Sequence, residues 1–168
     1  MSVKRAEAPP SLSMCRFRRR IISGRKKEEK TKTEELSLAG LNVLIAEDVV
    51  ISAEILSDLL EMEDMNCEWA KDGRQAADLF EKSEKGHFDV ILMDMRMPVM
   101  DGLAAARAIR GLNRPDAAAV PIIALTANAF EEDVRLCLEA GMNAHLSKPV
   151  DIDLLKEKLG ELLAARKS

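Results

Sequence analysis

Four polar signals stand at the C-terminal ends of four apolar runs. Glu47 and Asp48 follow residues 43–46, Asp94 follows 90–93, Thr126 follows 122–125, and Lys148 follows 144–147. In an open parallel α/β sheet, ligands bind outside the carboxyl ends of the strands. Runs arranged that way would gather three carboxylates, a hydroxyl and an ammonium around one point. That set suits a divalent cation and a phosphoryl group. Asp94 carries most weight, because a carboxylate set against an apolar run is costly to bury unpaired. Placing Glu47 and Asp48 beside it raises the cost through like-charge repulsion. Mg²⁺ resolves the conflict, since it takes oxygen ligands from one or two carboxylates and keeps waters that phosphate oxygens can displace. Opposite the acids, Lys148 becomes a counter-ion and a point-charge ligand for phosphate. Thr126 offers a hydroxyl to a phosphate oxygen.

The elements that must position these residues alternate strand and helix from residue 41 onward. Residues 41–46 form a short, apolar-rich run of the kind that makes a buried strand. Ile51, Ile55, Leu56, Leu59 and Leu60 then recur at helical spacing. A weaker strand covers 67–70, and Asp72-Gly73 punctuates before a helix carrying Ala76, Ala77 and Phe80. The clearest strand is 89–93. Residues 102–110 read as a helix stopped by Gly111, and 113–119 as a loop. Pro121 opens the next strand at a position that tolerates it. A helix over about 130–140 has Glu131, Glu132 and Asp133 complementing its N-terminal dipole and Gly141 as its cap. Residues 144–147 make a short fifth strand, and Asp151 caps a last helix that turns Leu155, Leu159 and Leu162 inward. Five βα units with right-handed crossovers give a doubly wound, three-layer α/β sandwich.

Composition supports that reading. Of 168 residues, 47% are hydrophobic and only 3% aromatic, so the core must be aliphatic, as in helices packed on a buried parallel sheet. Residues 1–36 carry 11 Lys/Arg against 5 Asp/Glu, whereas 37–168 carry 14 against 24. The acidic body argues against nucleic acid as a ligand. The basic stretch, with Pro9-Pro10 and no sustained periodicity, reads as a disordered tail or linker. Within it, Cys15 to Ile22 mixes basic and apolar residues, a composition also found in membrane-surface segments. No run approaches the roughly 18–20 apolar residues of a membrane span, and no compact signal-peptide core opens the chain. Cys15, Cys67 and Cys137 lack metal-ligand spacing and read as free thiols of a reducing, cytoplasmic compartment.

Four motifs in order carry a resemblance. Ile45-Ala46-Glu47-Asp48, the stretch from Met93 to Gly102 (MDMRMPVMDG), Leu125-Thr126-Ala127 and Leu146-Ser147-Lys148-Pro149 look like the receiver domain of two-component response regulators. The wording is most similar to receivers attached to hybrid sensor histidine kinases, and it covers 41–165. The resemblance implies a flavodoxin-like (βα)5 fold with parallel strand order 2-1-3-4-5. It also implies that Asp94 accepts a phosphoryl group from phosphohistidine with Mg²⁺ bound. In that scheme Asp48 ligates the metal directly, Glu47 through water, and the Arg96 backbone carbonyl adds a further oxygen. Lys148 pairs with the phosphoryl oxygens, Thr126 moves inward to them, and the Lys148–Pro149 bond is cis. The implied partner is a sensor histidine kinase or a histidine phosphotransfer protein, and a phosphorylation-dependent homodimer is a further expectation.

Two positions depart from the pattern. Glu47 stands where many relatives have Asp, and His145 occupies the switch position where Tyr or Phe is common; His145 is smaller and titratable. Rival readings fit less well. A phosphorylation-independent docking or dimerisation module would not need Asp94, Asp48 and Lys148 together. A phosphohydrolase resembling the haloacid dehalogenase class carries a second acid two residues after its nucleophile, where this chain has Arg96. A flavin protein would need aromatics beside the ring, and the chain has no Tyr and only Trp69 on its weak second strand. With no kinase nucleotide-binding motif, and Ser168 soon after the last expected helix, the expectation is a signalling phosphoacceptor rather than an enzyme. It would stand alone or come from a hybrid kinase.

Overall fold

A computed structural model describes residues 38–128 and 130–167. The basic stretch 1–36 and Cys15 lie outside the described residues. The elements in chain order are β1 (Asn42–Ala46), α1 (Val50–Glu61), β2 (Asn66–Ala70), α2 (Gly73–Lys82), β3 (Val90–Asp94) and α3 (Gly102–Arg110). They continue as α4 (Pro115–Ala119), β4 (Ile122–Thr126), α5 (Glu131–Glu139), β5 (Ala144–Ser147) and α6 (Ile152–Lys167). All strand pairs are parallel, in the order β2-β1-β3-β4-β5, as the resemblance implies.

The two-residue period of a strand divides the apolar side chains between two half-cores. Val43, Ile45, Val90, Leu92, Ile123 and Leu125 face α1 and α6, meeting Leu56, Leu60, Leu155 and Leu159. Leu44, Ala46, Ile91, Met93, Ile122 and Ala124 face the other way, against Ala76 and Phe80 of α2, Ala105 and Ile109 of α3, and Cys137 of α5. β3 and β4 are buried along their whole length, which is why they read as unbroken apolar runs. Strand polarity then carries each polar signal to the same edge of the sheet.

The cap expected at Asp151 is present, and Asp72 and Asp101 add two more. The side chain of Asp72 accepts from Gln75 N–H, Asp101 from Ala104 N–H, and Asp151 from Asp153 N–H. Three details correct the sequence reading. Residues 113–119 are not all loop, since Pro115 at the first helical position starts the five-residue α4. Ile51 and Ile55 share the helical spacing of α1 but are 67% and 56% exposed; Ala53, Leu56 and Leu60 fill the inward face. In α6, Leu163 completes the buried stripe of Leu155 and Leu159 while Leu162 packs at its border.

α4 exists because of a buckle that the sequence did not announce. The Arg114 guanidinium lies 4.8 Å over the Phe80 ring and donates to the carbonyls of Phe80, Glu81, Ser83 and Glu84, capping the end of α2. It also clasps both carboxylate oxygens of Asp116, at 3.0 and 2.6 Å. That hydrogen bonding holds the Asp116 carboxyl down at about 2, against burial, with Gly86 N–H assisting. Arg110 ties the far side, donating to Gly141, Ala117 and Asn143 oxygens.

Candidate functional site

Glu47 leaves the end of β1 with its backbone still in the sheet. Its N–H donates to Ala70 O, and Trp69 Nε1 donates to its carbonyl at 2.8 Å. The side chain is 1% exposed, which no unpaired carboxylate would sustain. It has two partners: Val49 N–H donates to Oε1 at 3.1 Å, and Lys148 Nζ to Oε2 at 2.6 Å. Lys148 is brought there by β5 and by its own N–H, which donates to Thr126 O. The Lys148–Pro149 peptide is cis, as the resemblance implies.

Asp94, the last residue of β3, is 6% exposed. Its Oδ2 lies 3.1 Å from Lys148 Nζ, and its Oδ1 accepts from Arg96 N–H at 3.3 Å. Gly102 fixes the backbone behind it: a Cβ at that position would stand 2.2 Å from the Asp94 carbonyl oxygen. Asp48 is exposed at the mouth, and carboxylate oxygens of Glu47, Asp48 and Asp94 lie within 4.8 Å of one another. Burial pulls the Lys148 pKa down, but hydrogen bonds and charge attraction from Glu47 and Asp94 outweigh it, leaving a net rise. The ammonium therefore stays charged, yet one cation faces three carboxylates. An all-oxygen donor set with excess negative charge fits a hard divalent ion such as Mg²⁺.

The acids open into a cleft of about 770 Å³ lined also by Arg96, Thr126 and Asn128. Thr126 is buried, and its hydroxyl is committed elsewhere. It donates to Asn128 O at 2.6 Å and accepts from Asn128 N–H at 3.1 Å. His145, paired in register with Ala124, is half-buried on β5. The structure thus brings Glu47, Asp48, Asp94, Arg96, Thr126 and Lys148 together, with His145 on the neighbouring strand.

Sequence reasoning missed that Glu47 is the closest partner of Lys148 and that Asn128 engages Thr126. Neither contact had a signal in the spacing. Cys67 and Cys137 are free thiols, and burial raises both, Cys67 to about 11. The Cys137 thiol packs against Met95 Sδ at 3.1 Å, immediately after Asp94.

Residues 43–160 match the family described as response regulator receiver domain. Over 117 residues the chain is 38% identical to the sensor histidine kinase RcsC of Escherichia coli, a match spanning 70% of this chain but 12% of that protein. The fold superposes with a TM-score of 0.67 on the receiver domain of the sensor histidine kinase PA1611 from Pseudomonas aeruginosa, which has magnesium coordinated in its active site cleft. Identity there is 37%, covering 75% of this chain and 99% of that one. A third likeness is the receiver domain of Ssk1 from Saccharomyces cerevisiae, crystallised with the histidine phosphotransfer protein Ypd1. It is 35% identical, with a TM-score of 0.65, covering 74% of this chain and 90% of that one.

Proposed function

Because this chain belongs to the response regulator receiver family, we propose that it accepts a phosphoryl group from a phosphohistidine onto Asp94. The observation that carries the reading is the shared grip of Lys148 on Glu47 and Asp94, with Asp48 completing a three-carboxylate mouth. The Asp94 carboxylate is the nucleophile. Its oxygen forms the new bond to phosphorus as the imidazole–phosphorus bond breaks, and the imidazole nitrogen keeps the electron pair. Asp48, Asp94 and the Arg96 carbonyl would hold Mg²⁺, with Glu47 reaching it through water, and the ion would supply neutralisation of charge on the phosphoryl oxygens. Lys148 steadies those oxygens from the opposite side. Gly102 and the Arg96 N–H hold the Asp94 carboxylate where the transfer needs it.

Thr126 gives the phosphoryl group its third contact by turning away from Asn128. That turn empties space beside β5 into which His145 rotates, shifting the face made by α5, β5 and α6. Phe130, Leu138 and Leu154 are exposed on those elements or at their edges and offer the apolar surface for a partner or a second copy. The donor, a sensor histidine kinase or a histidine phosphotransfer protein, rests on Val49, which lines the cleft, and on the exposed Val50, Ile51 and Ile55 of α1 that follows it. Among the described residues no helix is long and apolar enough to cross a membrane. We place the domain at 41–165, in the cytoplasm, as the signalling module of a longer relay, with residues 1–36 as a linker.

The test is intact mass after incubation with phosphoramidate and Mg²⁺. The wild type should gain one phosphoryl group per chain, lost in Asp94→Asn and absent with EDTA. A modified Asp94→Asn protein with unchanged stoichiometry would sink the assignment.

A further inference from the structure

β1 hands over to the acceptor cleft through a single peptide, the one joining Glu47 to Asp48. Just before it, Glu47 N–H donates to Ala70 O at 3.1 Å and keeps the chain in the sheet. The β1–β2 register ends at Ala46 and Ala70. Past that point the Glu47 carbonyl receives no backbone N–H among the described residues, and Lys71 N–H, just beyond β2, is given to Gln75 Oε1 at 2.6 Å. The indole of Trp69 supplies the donor instead, with Nε1 at 2.8 Å from Glu47 O. A peptide is planar, so holding its oxygen fixes the plane that carries the Cα atoms of both Glu47 and Asp48. Asp48 depends on that plane. It is exposed, and its carboxylate has no hydrogen bond or salt bridge among the described residues, whereas Lys148 grips both Glu47 and Asp94. Repulsion from those two acids pushes the Asp48 carboxylate away from the point where the three converge within 4.8 Å. The peptide after Asp48 is held by Val49 N–H on Glu47 Oε1, a hold supplied by the acid cluster itself. The indole is the anchor that lies outside the cluster.

We propose that Trp69 is a positioning residue for the divalent-cation site, its indole N–H aiming the Asp48 carboxylate by fixing the Glu47–Asp48 peptide. Trp69 sits in the edge strand β2, half-buried against the α1 and α6 half-core. A half-exposed indole could give its N–H to water, so burial does not force the bond to Glu47 O. The bond ties the edge of the sheet to the one acid of the three that has no partner of its own. Contacts that orient a ligand in this way tune metal affinity without touching the ion. Trp69 is the chain's single tryptophan, so its emission reports on this peptide alone. The inference rests on the metal-assisted phosphotransfer reading above and adds a residue from outside the four motifs.

The test compares wild type with Trp69→Phe and with 3-benzothienylalanine at position 69, an isostere that keeps the bicyclic shape and lacks the N–H donor. Mg²⁺ is titrated into each full chain by calorimetry. Both replacements should bind it about 5–10-fold more weakly, the loss of one orienting hydrogen bond. In wild type, Trp69 emission should change saturably, with the dissociation constant that calorimetry gives. With phosphoramidate, the Mg²⁺ concentration for half-maximal rate should rise by the same factor, while the rate at saturating Mg²⁺ stays within about twofold of wild type. An isostere that binds Mg²⁺ as tightly as wild type overturns the proposal, even where Trp69→Phe is weakened or fails to fold, because ring packing and not the N–H would then matter. A slow rate that saturating Mg²⁺ does not restore overturns it too, since the indole would then be supporting Asp94 or the fold. Either result leaves Asp94 as acceptor. A wild type that binds no Mg²⁺ would instead remove the metal reading itself.

Discussion

Replacing Asp48 by Asn should make the metal-free protein more stable while removing its response to Mg²⁺. Asp48 is exposed, and its carboxylate lies within 4.8 Å of those of Glu47 and Asp94. Lys148 is already committed to the latter two, at 2.6 and 3.1 Å. At 4.8 Å, Coulomb's law with an effective dielectric near 20 gives about 3.5 kcal/mol of repulsion per pair, and solvent at the mouth reduces that to roughly half. Attraction to Lys148 offsets about one of the two pairs, leaving roughly 1–2 kcal/mol. Asparagine keeps the volume and removes the charge. For a domain of this size the gain corresponds to about 4–7 °C in melting temperature. The assay is thermal melting of wild type and Asp48→Asn in EDTA and across a Mg²⁺ titration. In EDTA the variant should melt higher, and the gap should narrow in high salt as exposed charges are screened. With Mg²⁺ the wild type should rise and the variant stay flat. A variant that melts lower in EDTA, or that keeps the full Mg²⁺ shift, would refute the electrostatic account of the mouth.

The buckle predicts an acid limb. Asp116 is held at about 2, below its ordinary 3.8, so its stabilisation is complete above about pH 4 and is lost as pH falls through 2. The shift is worth about 2 kcal/mol, and urea melts of Asp116→Asn should be lower at neutral pH and flatter between pH 4 and 2 than wild type. Deleting residues 1–36 should leave the phosphoramidate rate within about twofold, since a chain of that composition supplies no core; phosphotransfer lost on deletion would show a structural role. His145→Tyr should leave phosphorylation unchanged and alter phosphorylation-dependent dimerisation, read by analytical ultracentrifugation. An unchanged association constant would remove His145 from the switch.

What the sequence disclosed was whatever depends on strand polarity. Glu47, Asp48, Asp94, Thr126 and Lys148 each end an apolar run, and parallel strands must bring such ends to one edge. The contacts that stayed hidden depend on side chains reaching across unrelated segments. Arg114 serves the carbonyls of α2 more than 30 positions upstream, and nothing in Asn113 to Asp116 looks unlike a surface loop. Ile51 and Ile55 deceived for another reason. Helical spacing reports which residues share a face, but not whether that face turns to the sheet or to a partner. Val99 was legible only as one letter of a motif; its φ of +70 is a backbone property that no residue type discloses.

The two half-cores have different mechanical character. The half-core under α1 and α6 is built of branched and leucine side chains, with Met65, from the turn before β2, the single methionine among its buried members. These have few rotamers and resist deformation. The half-core under α2, α3 and α5 holds Met93 of β3 and Met97 and Met142 from loops, with many alanines, and Met95 and Met100 at the border. Unbranched thioethers refill irregular gaps as their neighbours shift. On the proposed function, the domain is stiff behind the face that would receive a donor and compliant beneath α5, the helix that would yield. Rigidity and give are thus sorted to opposite faces of one sheet, by alternation along its strands and by the loops that close each side.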